Sequence, residues 1–269
     1  MLATVTMVIM VVPMIVPPLG GFLDSTLGWQ AIFAAIALFG AVILTWVWIA
    51  LPETHTIRIS SGGFARFLDE TRLLMTDRAF IGYMLCGSTS SALFFVFLGG
   101  APHVIATQQG RGAFELGFWI ASASASYMVG NFISARYSIR FGIDALITVG
   151  VLIGVAGGVA VVVLTLWFPH IGPLVICLPQ WITAFCNGLV IPNAIAGGIS
   201  VRPQAAGTGA GLHGFVQMLI AAVFAQWVSH LLADAGKVDP MAWMIFSFAL
   251  FSAGSFFLLV RRPGARATR

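Results

Sequence analysis

Eight apolar stretches, each about as long as a bilayer is thick, follow one another along this chain with mostly short breaks between them. A helix needs about 20 apolar residues to cross a hydrocarbon core roughly 30 Å thick. The rest of the sequence therefore has to be read with lipid, not water, as the solvent. The expected spans are 2–23, 30–50, 79–100, 115–135, 144–167, 173–195, 208–232 and 241–260. The fold class that follows is an all-α membrane protein with eight transmembrane helices, successive ones antiparallel.

Composition excludes the main alternatives. Hydrophobic residues make up 59% of the chain and charged residues 8%, against roughly 25% charged in a soluble domain. So few charges cannot cover a water-soluble surface. The net charge of +4 does not point to nucleic acid, because the arginines sit at helix ends and form no basic face. Cys86, Cys177 and Cys186 all fall inside apolar segments without metal-ligand spacing, which makes them packing residues. The first stretch lacks a basic region before it and a cleavage site after it, so it reads as a span and not as a signal peptide. No His-x-x-x-His pair, acid pair within a span or nucleophile–base constellation is present. The expectation is a non-enzyme with no cofactor and no metal.

Orientation follows from the basic residues. Arg58, Arg66, Arg72, Arg78, Arg136, Arg140, Arg202 and the tail arginines Arg261, Arg262, Arg266 and Arg269 all fall on one side of an eight-span alternation. Only Arg111 and Lys237 fall on the other. Positive residues mark the cytoplasmic side, so both termini and the long 51–78 loop are expected there, in a cell inner membrane. Tryptophans agree: Trp29, Trp46, Trp48, Trp119, Trp167, Trp227 and Trp243 lie near helix ends, and Trp181 alone lies deep in a span.

The spans differ in polarity. The second, fifth and eighth are the most apolar, while the third carries Ser88-Thr89-Ser90-Ser91 and the fourth, sixth and seventh carry Asn, Gln, Ser and His. Polar groups in hydrocarbon are costly without a partner, so every third helix is expected at the periphery and the others toward an interior. Gly150, Gly154 and Gly158, and again Gly207 and Gly211, recur four apart and predict close helix contacts.

Several ordered motifs then accumulate. Pro17-x-x-Gly20-Gly21 and Gly28-Trp29-Gln30-Ala31-Ile32-Phe33 close the first span, and Leu51-Pro52-Glu53-Thr54 closes the second. Ala101-Pro102 follows the third. Gly130-Asn131 with Arg136, Arg140 and Gly142 closes the fourth. Pro192-Asn193-Ala194, the run from Ala206 to Gly211, and Gly214-Phe215-Val216-Gln217 mark the last spans but one. Their order and spacing resemble the major facilitator superfamily, and within it the Bcr/CflA-type drug-resistance efflux transporters. The register of the resemblance matches the chain to helices five to twelve of a twelve-helix family, with the first four absent.

That resemblance implies a partial major facilitator fold. Residues 1–50 are the last two helices of an N-terminal bundle and 51–78 a cytoplasmic linker. Residues 79–260 are a complete C-terminal six-helix bundle and 261–269 a basic cytoplasmic tail. In the linker Phe64, Phe67, Leu68, Leu74 and Met75 alternate with Arg66, Asp69, Glu70 and Arg72 at helical spacing, which predicts an interfacial amphipathic helix. The implied function is proton-coupled efflux of small lipophilic compounds by alternating access, with the bilayer, the substrate and protons as partners and no nucleic acid. The alternative is a non-transporting remnant, or a subunit completed by a missing N-terminal segment or a partner chain.

Candidate residues follow from the same register. Pro17, Gly20 and Gly21 resemble the end of the family's antiporter motif. Asn131, Arg136, Arg140 and Gly142 resemble a cytoplasmic gate loop, and Arg140 is spaced to pair with Asp144. Ser88, Ser91, Trp181, Asn187, Asn193, His213 and Gln217 are candidates for a substrate cavity, an apolar site with a few polar groups. His213 is the one ionisable side chain well inside a span, and no span interior holds an Asp or Glu. With one bundle and a third of another, these 269 residues are expected not to transport alone. Drug efflux from proteoliposomes holding only this polypeptide would overturn that expectation.

Overall fold

The computed structural model describes residues 26–50, 63–168, 172–235 and 238–261, together with Val16, Leu19, Gly20, Phe22 and Leu23. Most of the first expected span, Pro17, Gly21, residues 51–62 and the tail beyond Arg261 lie outside the described residues. Every regular element described is helical. The helices are α1 (Trp29–Ala50), α2 (Gly63–Thr76), α3 (Arg78–Ala101), α4 (Ala113–Phe141), α5 (Ile143–Trp167), α6 (Leu174–Val201), α7 (Ala206–Ala235) and α8 (Asp239–Ser255). Wider π-type turns extend α3 over Pro102–Gln108 and α8 over Phe256–Val260.

Seven of the eight expected spans fall on described helices. Six of these are long and apolar enough to cross a membrane. The seventh, α4, has 29 residues, or ~43 Å at the usual rise, but its serines lower its hydropathy below that of its neighbours. Local signals set the boundaries. The Asp77 carboxylate accepts from the N–H groups of Ala79 and Phe80 at 2.9 and 3.3 Å and caps α3. Gly142 joins α4 to α5 at φ 82°, a left-handed conformation open to glycine.

Helices α3 to α8 form one bundle built around α3 and α6. α3 packs on α6, α7 and α8, and α6 packs on α3, α4 and α5. α5 and α8 also pack on each other, whereas α4 touches α5 little and α7 touches α8 little. Exchanging α3, α4, α5 for α6, α7, α8 maps this pattern onto itself. Two three-helix units related by a pseudo-two-fold, opposite in direction across the membrane, therefore make up the bundle. The ends of α3, α6, α7 and α8 that carry Arg78, Arg202 and Arg261 meet on one side, where Leu74, Phe80, Met84 and Ala205 cluster. Phe97, Ile105, Ile176, Leu232 and Met241 fill the core toward the opposite side.

Glycine contacts fix the helix spacing. A Cβ on Gly188 of α6 would stand 2.5 Å from the Tyr127 carbonyl and 2.6 Å from the Asn131 nitrogen of α4, and Gly130 faces the Phe185 carbonyl across the same crossing. On α5, a Cβ added at Gly150 or Gly154 would stand 2.6 or 2.7 Å from Val190 or Cys186 of α6, and one at Gly158 would stand 3.0 Å from Phe246 of α8. A Cβ added at Gly207 or Gly211 would have nothing within 4 Å among the described residues. Their spacing predicted a helix contact that none of the described helices makes, because they sit on the side of α7 away from α3.

The expected sorting of helices by polarity needs correction as well. α3 and α6 are the interior pair, burying 72% and 67% of their most apolar windows. The polar α7 buries 17%, less than the apolar α5 at 44%. Polarity therefore does not rank burial, because α4 and α7 each press mainly on a single neighbour. No residue of α1 is buried. The exposed faces carry large apolar side chains, with Trp46, Trp48, Trp167 and Trp227 all outward, which is the surface a bilayer requires.

Helix α2 docks on the arginine-rich end. Leu74 is buried against Phe80, Met84 and Ala205, while Phe67, Leu68 and Met75 stay exposed. The Glu70 carboxylate accepts from the Thr208 hydroxyl of α7 at 2.5 Å and from Arg66 Nε at 2.7 Å. The Thr208 hydrogen bond first, and then Arg66, hold the carboxyl below its ordinary value of 4.5. A depressed carboxylate stabilises the docked state above its free pKa and loses that contribution as pH falls through its docked pKa. Amide exchange in α2, corrected for intrinsic rates, is expected to stay slow from neutrality down to the carboxylate range and to quicken below it. Thr208→Ala should bring the onset to higher pH; an onset independent of Thr208 would exclude the Glu70 contact as its cause.

Candidate functional site

The N-terminal halves of α3 and α7 run side by side, as do α4 and α6, and a cleft opens where these four helices meet. Its volume is about 210 Å³, and its polar lining comes from Ser91 of α3, Ser124 and Tyr127 of α4, Asn187 of α6 and Gln217 of α7. Phe94, Phe95, Ile191 and Met218 supply apolar walls. No lining residue carries a formal charge. The cleft can therefore hold an apolar body and offer hydrogen bonds at a few points, the usual design of a small-molecule site.

Local sequence explains how these groups come to be there. On α3 the Ser88–Ser91 run turns all four hydroxyls inward. The Ser91 hydroxyl donates to the Ser88 carbonyl at 2.7 Å, and that of Thr89 donates to the Leu85 carbonyl at 2.6 Å. The Ser90 hydroxyl instead donates across to Asn187 Oδ1 at 2.7 Å, tying the central pair together. Pro192 lies inside α6, so it cannot donate to the carbonyl one turn back at Gly188, beside Asn187. An interrupted helix beside a polar group is tolerated in a membrane only where it is buried in protein or lines a cavity.

The cavity candidates separate. Ser91, Asn187 and Gln217 line the cleft; Ser88, Trp181, Asn193 and His213 do not. Trp181 stacks on Trp119 at 6.1 Å and donates to the Ser122 hydroxyl at 2.9 Å. Asn193 donates to the Ser134 hydroxyl and to the Leu189 carbonyl, both at 2.7 Å. Both residues fasten α4 to α6. Ser88 is buried and its hydroxyl has no partner among the described residues. His213 is 2% exposed and neither ring nitrogen has one. Ser124, Tyr127, Phe94 and Phe95 join the cleft without having been singled out. Alternation of Ser and Ala along 121–126 was the available signal, but it does not say which serine turns toward α3.

The gate-loop candidates sit at the far end of α4. Asn131 is buried and donates to the Tyr127 carbonyl at 3.2 Å. Arg136 and Arg140 are exposed. Arg140 lies 5.4 Å from the centre of the Phe141 ring, not in an ion pair with Asp144. Asp144 accepts from the Tyr83 hydroxyl at 2.6 Å, a longer-range bond between α3 and α5 that local spacing could not anticipate. Gly20, the described member of the antiporter-like motif, has no neighbour within 4 Å of a Cβ position.

The Major Facilitator Superfamily sequence pattern matches residues 1–225. The chain belongs to the major facilitator superfamily. Among its superfamily relatives is a "Bicyclomycin resistance protein homolog" of Haemophilus influenzae, 24% identical over 97% of this chain and 65% of that protein. A "Chloramphenicol resistance protein" of Pseudomonas aeruginosa is 27% identical over 72% of this chain and 43% of its own length. The "Multidrug transporter MdfA" of Yersinia pestis is 24% identical over 53% of this chain and 35% of its own. The chain thus spans at most about two thirds of the length of these relatives.

Asn193→Ala is expected to cost about 0.6 kcal/mol of stability, the average for a hydrogen bond between membrane helices. A variant with native thermal stability would show that the Asn193–Ser134 bond does not hold α4 to α6.

Proposed function

We propose that this chain is the greater part of a proton-coupled efflux transporter for small, lipophilic, uncharged drugs, working by alternating access. The observation that carries the reading is the cleft among α3, α4, α6 and α7, apolar and aromatic with five neutral hydrogen-bonding residues. Its 210 Å³ is below the roughly 300–1,000 Å³ of complete ligand sites, as suits one wall of a site shared between two bundles. Superfamily membership and relatives named for bicyclomycin and chloramphenicol resistance support the substrate class.

On this reading residues 79–260 are the C-terminal bundle, 1–50 the end of the N-terminal one and 51–78 the linker between them. Residues 261–269 are a cytoplasmic tail. The bundles rock around the midplane site, with Ser91, Asn187 and Gln217 meeting substrate and Asn131, Arg136, Arg140 and Gly142 closing the cytoplasmic end. Pro17, Gly20 and Gly21 are the end of the family's antiporter motif. The protein sits in the inner membrane with both termini in the cytoplasm.

The test is chloramphenicol accumulation in efflux-deficient bacteria expressing the complete transporter of which this chain is the greater part. Expression should lower accumulation several-fold, a protonophore should abolish the difference, and Asn187→Leu or Gln217→Leu should erode it. Accumulation indifferent to both substitutions would remove the cleft from the transport path.

A further inference from the structure

His213 is the most conspicuous polar group that the cleft lining does not use. It sits on α7 at 2% exposure, with Nδ1 and Nε2 both lacking a partner among the described residues. Buried polar groups are nearly always hydrogen-bonded, so two orphaned nitrogens on one ring need an explanation. No structural contact supplies one. The ring faces Gly87 of α3, where a Cβ would stand 2.7 Å from Nε2 and 3.1 Å from the Ala194 methyl of α6. Glycine at that position is what gives the ring its room. Next to it the Ser88 hydroxyl is also buried and unpartnered.

The place of this ring connects it to the cleft. Ser91 lies one turn beyond Gly87 on α3, and Gln217 lies one turn beyond His213 on α7; both line the cleft. His213 therefore stands one helical turn from the Ser91–Gln217 part of the lining, with its ring against Gly87 of α3. A neutral imidazole has one donor and one acceptor nitrogen, and so matches a group that both donates and accepts, a substrate hydroxyl or amide.

Resting on the reading of the cleft as the transport site, we infer that His213 is a specificity-determining contact of that site, satisfied by a hydroxyl or amide of the transported compound. The apolar body of the substrate occupies the cleft between Phe94, Phe95 and Met218, and its hydroxylated end reaches the ring one turn along α7 from Gln217. The bonding capacity left unused in the protein is what selects compounds bearing such a group. A site built to hydrogen-bond a hydroxyl discriminates strongly against the analogue that lacks it.

The test uses the native protein in lipid nanodiscs, with chloramphenicol and its diacetate as probes; the first carries free hydroxyls and an amide, the second only the amide. Binding is read by calorimetry and melting temperature is taken without ligand. His213→Leu is expected to weaken chloramphenicol binding about tenfold and to shrink the preference over the diacetate, with His213→Gln restoring most of both. The melting temperature of His213→Leu without ligand should hold or rise, because an unsatisfied polar group has been replaced by an apolar one. A fall in melting temperature would mean that the ring holds a structural bond, and the inference would be lost. Weaker binding in Gln217→Ala with none in His213→Leu would keep the cleft and discard His213. Binding unaffected by Asn187, Gln217 and His213 substitutions alike would remove the cleft itself.

Discussion

Lipid gives helices little hydrophobic reason to associate, since acyl chains are as apolar as leucine, so close backbone approach has to hold a bundle together. Here that approach is concentrated on α6. Gly188 brings it against the α4 backbone, Gly150 and Gly154 of α5 bring it against a second helix, and Ser90 ties it to α3 through Asn187. Any side chain at those glycines would separate the helices by more than the neighbours can yield. The cleft lies beside this packed pair, lined by α3, α4, α6 and α7.

The pseudo-two-fold gives the same arrangement a functional meaning. Because α3 and α6 exchange under it, the interior pair is antiparallel and contributes one polar surface from each repeat, Ser88–Ser91 and Asn187. The helices α4 and α7 flank this pair and leave broad faces open, which explains why the polar α7 is so little buried. The apolar α5 and α8 back the pair from the other side and touch each other. Polarity and burial part company because the two are set by different neighbours: a polar face can be aimed at a cleft without being covered.

Several polar side chains in the spans hold the bundle together. Trp181, Asn193 and Ser134 fasten α4 to α6, Tyr83 reaches Asp144 between α3 and α5, and Ser252 bonds the Cys86 carbonyl between α8 and α3. The α4–α6 bonds join helices that glycine contacts bring together, whereas Tyr83–Asp144 bridges α3 and α5 without one. Ser91 and Gln217 line the cleft, and the buried, unpartnered Ser88 and His213 lie on the same two helices, α3 and α7.

The sequence alone determined the described helices, their alternating order and the family, because each rests on local patterns: apolar length, arginine placement, and motifs of glycine and proline in order. It set α3, α4 and α6 too short, since they run on to Gln108, Phe141 and Val201. Asp77, Gly142 and the α5 glycines behaved as their residue types require. The sequence could also nominate polar residues in the spans, and three of the seven cavity candidates line the cleft. It could not separate those from the rest, since Asn187 and Asn193 share a helix and a residue type and differ only in which neighbour they meet. Nor could it show that Gly207 and Gly211 face none of the described helices, or that Asp144 meets Tyr83 and not Arg140. Those outcomes depend on the rotation of each helix about its axis, which is set by contacts between residues tens of positions apart and leaves no periodic trace in the chain.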